Sequence, residues 1–241
     1  MEPRHTTSSP GNIDRMRAPA RRPRVVLLDV FETMLQVSDL GSRFVDVGRP
    51  AYEWELFFTR TLRDGMALTL AGAARPFGEV ARAALRTTVR HTLSDQALDH
   101  VLNGFRELPP QPDVEPALAA LARARIPVHA FTHGAAQVAC DALDKAGLRT
   151  YLRSVLSAEE IQAFKPPVRV YQWACRQVDA PVDRVALVAA HSWDVHGAVR
   201  AGMVGGLATR LEGAVPDTVA RPHVAAERLD VVVDRLLALP N

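Results

Sequence analysis

With 241 residues, 48% hydrophobic side chains and a net charge of +2, the chain has enough apolar mass for one large core and a small accessory unit. No run nears the roughly 18 apolar residues of a membrane span and no apolar secretory region opens the sequence, so a soluble, cytoplasmic protein with no membrane contact is expected. The basic excess is local: six Arg within residues 1–24 face only Glu2 and Asp14, a net +4 that leaves −2 on the remainder and argues against a nucleic-acid surface there.

Residues 1–23, rich in Pro, Ser, Thr and Arg, lack apolar periodicity and read as a disordered basic tail. Val25 to Leu28 and then Val30 form a short branched apolar run, the pattern of a buried parallel strand, with Asp29 at its carboxyl end. Ligands of open α/β sheets bind beyond the carboxyl ends of strands, so Asp29 fits a site residue there, and this segment alone equally fits a strand-terminating Asp that caps a turn. Residues 39–108 show helical patterns only. Trp54, Phe57 and Phe58 open one helix that Leu62, Met66 and Leu70 continue; Pro76 starts a second; Leu98, Val101 and Phe105 mark a third. This stretch reads as a helical cap inserted into a core made of residues 24–38 and 109–241, with Leu108–Asp113 as the closing linker.

From Val114 helices and strands alternate, the signature of an α/β fold with a doubly wound parallel sheet. Helices are expected at 114–124, 135–146, 168–178 and 194–201, and strands at 128–131, 154–156, 185–189 and 205–208. Residues 229–239 read as a strand running into a helix. Cys140 and Cys175 fall in helical patterns as small apolar side chains without a chemical role.

In such a sheet Asp29, Thr132, Lys165 and Asp194 leave strand ends or adjacent loops on one edge. A carboxylate becomes a useful nucleophile when it is desolvated and held by fixed donors. Lys165 is conspicuous because only it and Lys145 are lysines among 29 basic residues. A compact ammonium fits between buried carboxylates where the planar fork of Arg does not. Lys165 is therefore expected between Asp29 and Asp194, keeping Asp29 ionised, with Asp194 orienting it and activating water. Its replacement by Ala is expected to remove activity and change stability little. Thr132 and the N–H groups after it are expected to hold an oxyanionic or departing group. Thr132-His133-Gly134 equally fits a helix N-cap with a turn glycine. His133 fits a substrate donor, a proton acceptor or a solvated histidine, His191 falls close to the proposed site, Trp193 fits packing, and His196 a structural place. His191 and His196, five apart, do not make a zinc pair.

The segment Asp29-Val-Phe-Glu-Thr33 resembles the first motif of the haloacid dehalogenase superfamily, and Thr132, Lys165 and Asp194 follow in that family's order. The resemblance covers residues 24–239. It implies a Rossmann-like core with an inserted cap, an Asp29 nucleophile that forms an aspartyl ester, and a Thr33 that binds the leaving group. Phosphatases of the superfamily carry a second Asp where this chain has Phe31, whereas the 2-haloacid dehalogenase branch has an aromatic residue there. That branch implies a hydrolase acting on a small halocarboxylic acid, with Phe31, Thr33, His133, His191, Trp193 and Trp54 around the substrate. No metal or other cofactor is then expected; Mg²⁺ would belong to the alternative reading as a phosphatase, for which Ala189 and Ala190 stand where a further carboxylate is expected. A third reading is a non-catalytic binding relative.

Two departures concern the substrate. The Arg that follows the cap Trp in this branch is here Glu55, after Trp54, so Arg60 or Arg63 is expected to substitute. The motif glycine is Glu32, at a place that calls for a backbone angle a side chain adopts under strain. The expected partner is a small-molecule substrate, and the expected assembly a monomer or homodimer.

Overall fold

The computed structural model describes residues 20–241, so most of the expected tail lies outside the described residues. The apolar run forms β1 (Val25–Asp29), all five residues buried. It is central in a six-stranded parallel sheet with β2 (Val128–Thr132), β3 (Ser154–Ser157), β4 (Val185–Ala189), β5 (Val204–Ala208) and β6 (Val224–Ala226), in the order β3-β2-β1-β4-β5-β6. Register pairs Asp29 with Phe131 on one side and Leu28 with Val188 on the other. The strand order reverses at β1, so the crevice beyond its carboxyl end is the switch point where such sheets bind ligands.

Side chains alternate along β1 between two apolar layers. Val26 and Leu28 join the layer that contains Phe31 and the helices of the insertion, while Val25 and Leu27 meet Phe131, Tyr171 and Val185 on the other face. Helices α5 (Val114–Arg123), α6 (Ala136–Lys145), α7 (Val168–Gln177), α8 (Ser192–Arg200) and α9 (Leu229–Leu237) cover the sheet. Gly147 follows α6 at φ +72°, the left-handed position that ends a helix.

Between β1 and α5 the chain is helical, with α1 (Leu40–Asp46), α2 (Glu53–Leu70), α3 (Phe77–Thr88) and α4 (Asp95–Asn103). Helix α1 has no counterpart among the helices expected from the sequence. Its Leu40, Gly41 and Phe44 are buried, but seven residues offer too few repeats to show a period. Helix α2 buries Phe57, Thr61, Gly65 and Thr69, one stripe at spacing four. Gly65 lets the ring of Phe164 lie against the helix, since a Cβ there would come within 2.1 Å of it. Thr69 Oγ1 accepts the N–H of Phe164 at 2.9 Å. A third contact joins the same parts: Glu159 Oε1 accepts the N–H of Phe77, the first residue of α3, at 2.7 Å. The insertion thus grips the segment that leads into Lys165.

The C-terminal expectation needs correction. The strand is the three-residue β6, and Leu229–Leu237 is helix throughout in spite of its three consecutive Val, because Leu229, Val232, Val233 and Leu236 lie on one buried face.

Candidate active site

Asp29 ends β1 with only 4% of its surface exposed. Its Oδ1 accepts Lys165 Nζ at 2.8 Å and its Oδ2 accepts the hydroxyl of Thr33 at 2.7 Å. Lys165 is fully buried and reaches further, donating to Asp194 Oδ2 at 2.6 Å and to the carbonyl of Phe131 at 3.3 Å. The ammonium therefore bridges the two carboxylates, as its rarity in the sequence led us to expect. Burial pushes Asp29 up, and the Lys165 ammonium and His191 more than reverse this, so its carboxyl is held well below the usual carboxylate range. Lys165 follows the same logic with opposite sign: burial lowers it, and Asp194 and Asp29 raise it above its ordinary value.

Asp194 is held on both sides. It is fully buried, and its second oxygen, Oδ1, accepts the Tyr171 hydroxyl at 2.6 Å. Burial, reinforced by Asp29, keeps its pKa raised despite Lys165. With both oxygens engaged, Asp194 is arranged to orient Lys165. Tyr171 was not singled out by sequence reasoning. It lies on α7 and reaches Asp194 only because Gly197 of α8 leaves room, a Cβ there falling 2.6 Å from the hydroxyl. Burial and Asp194 raise the phenol well above its ordinary pKa, which keeps it a donor.

Thr33 is tied to the nucleophile. It is fully buried, and its hydroxyl donates to Asp29 while accepting the N–H of Ala190 at 2.9 Å. In this arrangement the hydroxyl positions the carboxylate. Phe31 lies in an aromatic wall under the insertion, 5.1 Å from Phe105 and 6.2 Å from Phe77 between ring centroids.

Glu32 has φ +65°, the strained angle expected for a side chain at this place, at a cost of about 1–3 kcal/mol. Its carboxylate reaches His191: Oε2 lies 2.6 Å from Nε2. The other ring nitrogen, Nδ1, is buried 3.4 Å from Asp29 Oδ2 without a hydrogen-bond partner. Burial lowers the His191 pKa, and the facing Asp29 and Glu32 carboxylates overcome this and raise it to about 10. The ring is therefore cationic at neutral pH. Because this pKa lies above the ordinary 6.5, the pairing favours the folded state in full below about pH 6.5 and is lost as pH rises through about 10. Between pH 7 and 10 the unfolding midpoint in urea should fall more steeply for the natural protein than for His191→Gln; parallel curves would show that this charge does not stabilise the fold.

Thr132 ends β2, where its Oγ1 accepts the N–H of Gly134 at 3.2 Å. This closes a local turn rather than capping α6, whose N-cap is Ala135. His133 Nδ1 accepts the N–H of Lys165 at 3.2 Å, which puts the ring proton on Nε2. Burial and Lys165 hold the His133 pKa well below its ordinary value, so the ring is neutral and Nε2 is a buried donor with no protein partner. Trp193 stacks between the two histidines, 5.5 Å from His133 and 5.0 Å from His191. His196 is structural, with Nδ1 accepting the N–H of Ala220 at 2.8 Å.

The cap residues expected at the substrate are not brought to this centre. Arg60 Nη1 donates to Thr88 of α3 at 3.1 Å, and Arg63, on the solvent face of α2, pairs with its neighbour Asp64. Trp54 is half-buried against the apolar layer of the insertion. Among the described residues no three His, Cys, Asp or Glu side chains converge as ligands of one metal ion. Mg²⁺ beside Asp29 would lack oxygens at Ala189 and Ala190 and would face the cationic ring of His191, so the side chains present do not fit it.

A parallel α/β sheet with a buried carboxylate, lysine, carboxylate row at its switch point defines a Rossmann-like hydrolase. The family model described as haloacid dehalogenase-like hydrolase matches residues 62–205, and the chain belongs to that family. It is 28% identical over 180 residues to (S)-2-haloacid dehalogenase 1 of Pseudomonas sp. (strain CBS-3), covering 73% of this chain and 79% of that one. It is also 28% identical over 184 residues to (S)-2-haloacid dehalogenase 4A of Burkholderia cepacia, covering 74% and 80%. The crystal structure of a dehalogenase with an intermediate complex superimposes with a TM-score of 0.83 at 25% identity, over 90% of this chain and 99% of that one. The L-2-haloacid dehalogenase from Xanthobacter autotrophicus, at 19% identity, a TM-score of 0.81, and 90% and 99% coverage, shares the fold.

Proposed function

We propose that this hydrolase displaces halide from a short 2-halocarboxylic acid through an ester on Asp29, which water then cleaves. The observation that carries the reading is the state of Asp29, buried yet held ionised by Lys165 at 2.8 Å and aimed by Thr33 at 2.7 Å. Stripped of water and fixed in place, such a carboxylate attacks carbon far better than one in solution. Phe31, in place of an acid and base that phosphoryl transfer uses, supports a carbon centre, as do the (S)-2-haloacid dehalogenase relatives. The helical insertion acts as the cap that excludes water during attack.

An Asp29 oxygen bonds to the halogenated carbon while halide departs with the bonding pair. The neutral Nε2–H of His133 offers a donor to the anionic end of the substrate. Esterification removes the Asp29 charge that holds the Nδ1 proton of His191, and this proton leaves with the halide. His191 then resembles the base of a carboxylate–histidine dyad, since Glu32 retains Nε2–H and Nδ1 faces the ester. Water gives its proton to Nδ1 and its oxygen to the Asp29 carbonyl carbon. Collapse of the adduct expels the alkoxide, which takes the adduct's remaining hydroxyl proton and leaves as the 2-hydroxy acid, so that the Asp29 carboxylate again faces the imidazolium.

The test is a single turnover of 2-chloropropionate in ¹⁸O water, with chloride measured and the Asp29 peptide weighed. Chloride release with ¹⁸O in Asp29 is expected; no halide from any of a panel of short 2-haloacids would remove the reading. His191→Gln keeps a donor for Glu32 but not a base. It should release one equivalent of halide, accumulate the ester on Asp29, and lose about 10²- to 10⁴-fold in steady-state rate.

A further inference from the structure

Arg210 lies just past β5 and takes no part in the steps above, yet its half-buried guanidinium is engaged by the nucleophile turn. Nη2 donates to the carbonyl oxygen of Thr33 and reaches that of Glu32 at 3.5 Å. Nη1 donates to Asp113 Oδ2 at 2.8 Å. Asp113 is itself fixed, because the same oxygen accepts the N–H of Leu229, the first residue of α9, at 2.7 Å. Gln111 Nε2 also reaches the Glu32 carbonyl, at 3.4 Å. Two segments far apart in sequence, at Gln111 and Arg210, thus converge on the Glu32–Thr33 peptide, and Asp113 ties the second of them to α9. That peptide follows the only turn residue beside Asp29 whose backbone is left-handed, Glu32 at φ +65°. A glycine would hold this angle unaided, whereas a side chain needs surroundings that impose it. Glu32 also has to send its carboxylate out of the turn onto His191, 2.6 Å away. The guanidinium is suited to the task, since its planar fork can hold a carboxylate with one nitrogen and backbone carbonyls with the other.

We propose that Arg210, backed by Asp113, is a positioning residue that holds the Glu32 turn in its left-handed form and so keeps the Glu32 carboxylate on His191 for ester hydrolysis. This rests on the reading of His191 as the hydrolytic base. Arg210 acts on the second half-reaction: it meets Thr33 at the carbonyl, whereas Asp29 is aimed by the Thr33 hydroxyl and by Lys165.

The experiment uses the full chain, 2-chloropropionate or whichever short 2-haloacid turns over best, and a double-mutant cycle of Arg210→Met with Glu32→Gly. Arg210→Met should lower kcat about 10- to 100-fold with KM little changed, and ester should accumulate on Asp29 in quenched samples. In the Glu32→Gly background, where glycine takes the angle freely and no carboxylate remains to be aimed, adding Arg210→Met should cost little more. An equal loss in both backgrounds, or a loss with no ester accumulated, would overturn the proposal. Arg210→Lys, which keeps the charge beside Asp113 but cannot hold both sites at once, is read by the same cycle and decides the matter if thermal unfolding shows Arg210→Met to be misfolded. Ester accumulation in His191→Gln but not in the Arg210 variants overturns only the role of Arg210. Absence of ester in His191→Gln overturns the reading of the base on which it rests.

Discussion

Lys165→Ala should lose turnover by several orders of magnitude and also lose fold stability, and Lys165→Arg should restore little of either. In the natural protein one fully buried ammonium neutralises Asp29 at 2.8 Å and Asp194 at 2.6 Å. Removing it leaves two desolvated carboxylates facing one another, and deleting one partner of a buried ion pair costs about 3–5 kcal/mol. For a domain of this size that is a fall in unfolding midpoint on the order of 10 °C. The sequence alone led us to expect little change in stability, whereas an ammonium with no exposed surface between two carboxylates leads us to expect a loss. The loss should depend on pH. Without the cation a buried carboxyl has its pKa above the unfolded value, so its contribution is intact at acid pH and fades as pH rises through the folded pKa. Lys165→Ala should therefore lie closer to the natural protein at pH 5 than at pH 8. Arg fails for lack of space, since Nζ already sits among two carboxylates, the Phe131 carbonyl and, at 5.0 Å, the Phe131 ring. Turnover and thermal unfolding of both variants at the two pH values check this, and near-normal activity in Lys165→Arg would show that a positive charge alone suffices.

Asp29→Asn should be inactive, with no halide released above background, and yet remain folded with a midpoint close to that of the natural protein. The amide removes the nucleophilic anion, whereas the charges left behind pair off, Lys165 with Asp194 and His191 with Glu32. The amide oxygen can still accept from Lys165, and its nitrogen can face Thr33. A second readout follows from the His191 cation. Asp29 is one of two carboxylates that raise the ring to about 10, so His191 should titrate at lower pH in Asp29→Asn, as followed by the NMR shifts of its ring protons. Halide release by Asp29→Asn, or an unchanged His191 titration, would contradict the placement of this carboxylate at the centre of the chemistry.

The sheet was legible because each strand is a short branched run bounded by loop residues, and β1, β2, β4 and β5 fall within a residue of their expected limits. Lys165 was legible from composition, as a lysine in a chain that otherwise uses Arg. The contacts that qualify the roles were not. Tyr171 meets Asp194 across two helices, through space left by a glycine, and no local pattern carries that information. Glu32 and His191 are 159 positions apart and pair because β4 lies beside β1 in a particular register. Read separately, Glu32 stood as a departure at a glycine position and His191 as a polar side chain close to the site. Arg60 and Arg63 were proposed from spacing along α2, but the helix turns its buried stripe of Phe57, Thr61, Gly65 and Thr69 inward and leaves Arg63 to solvent.

The fit of Phe164 against Gly65 and Thr69 limits how far the two parts of this molecule can be treated as interchangeable modules. A chimaera that grafts the helical insertion of another protein onto this core would carry over whatever stands at those two places. A side chain larger than glycine at position 65 displaces the ring of Phe164, and with it the residue next along the chain, Lys165. Swapping insertions to change which substrates enter would then alter the reactivity of the carboxylate beneath. Engineering of selectivity in this scaffold is best confined to positions off that one stripe of α2.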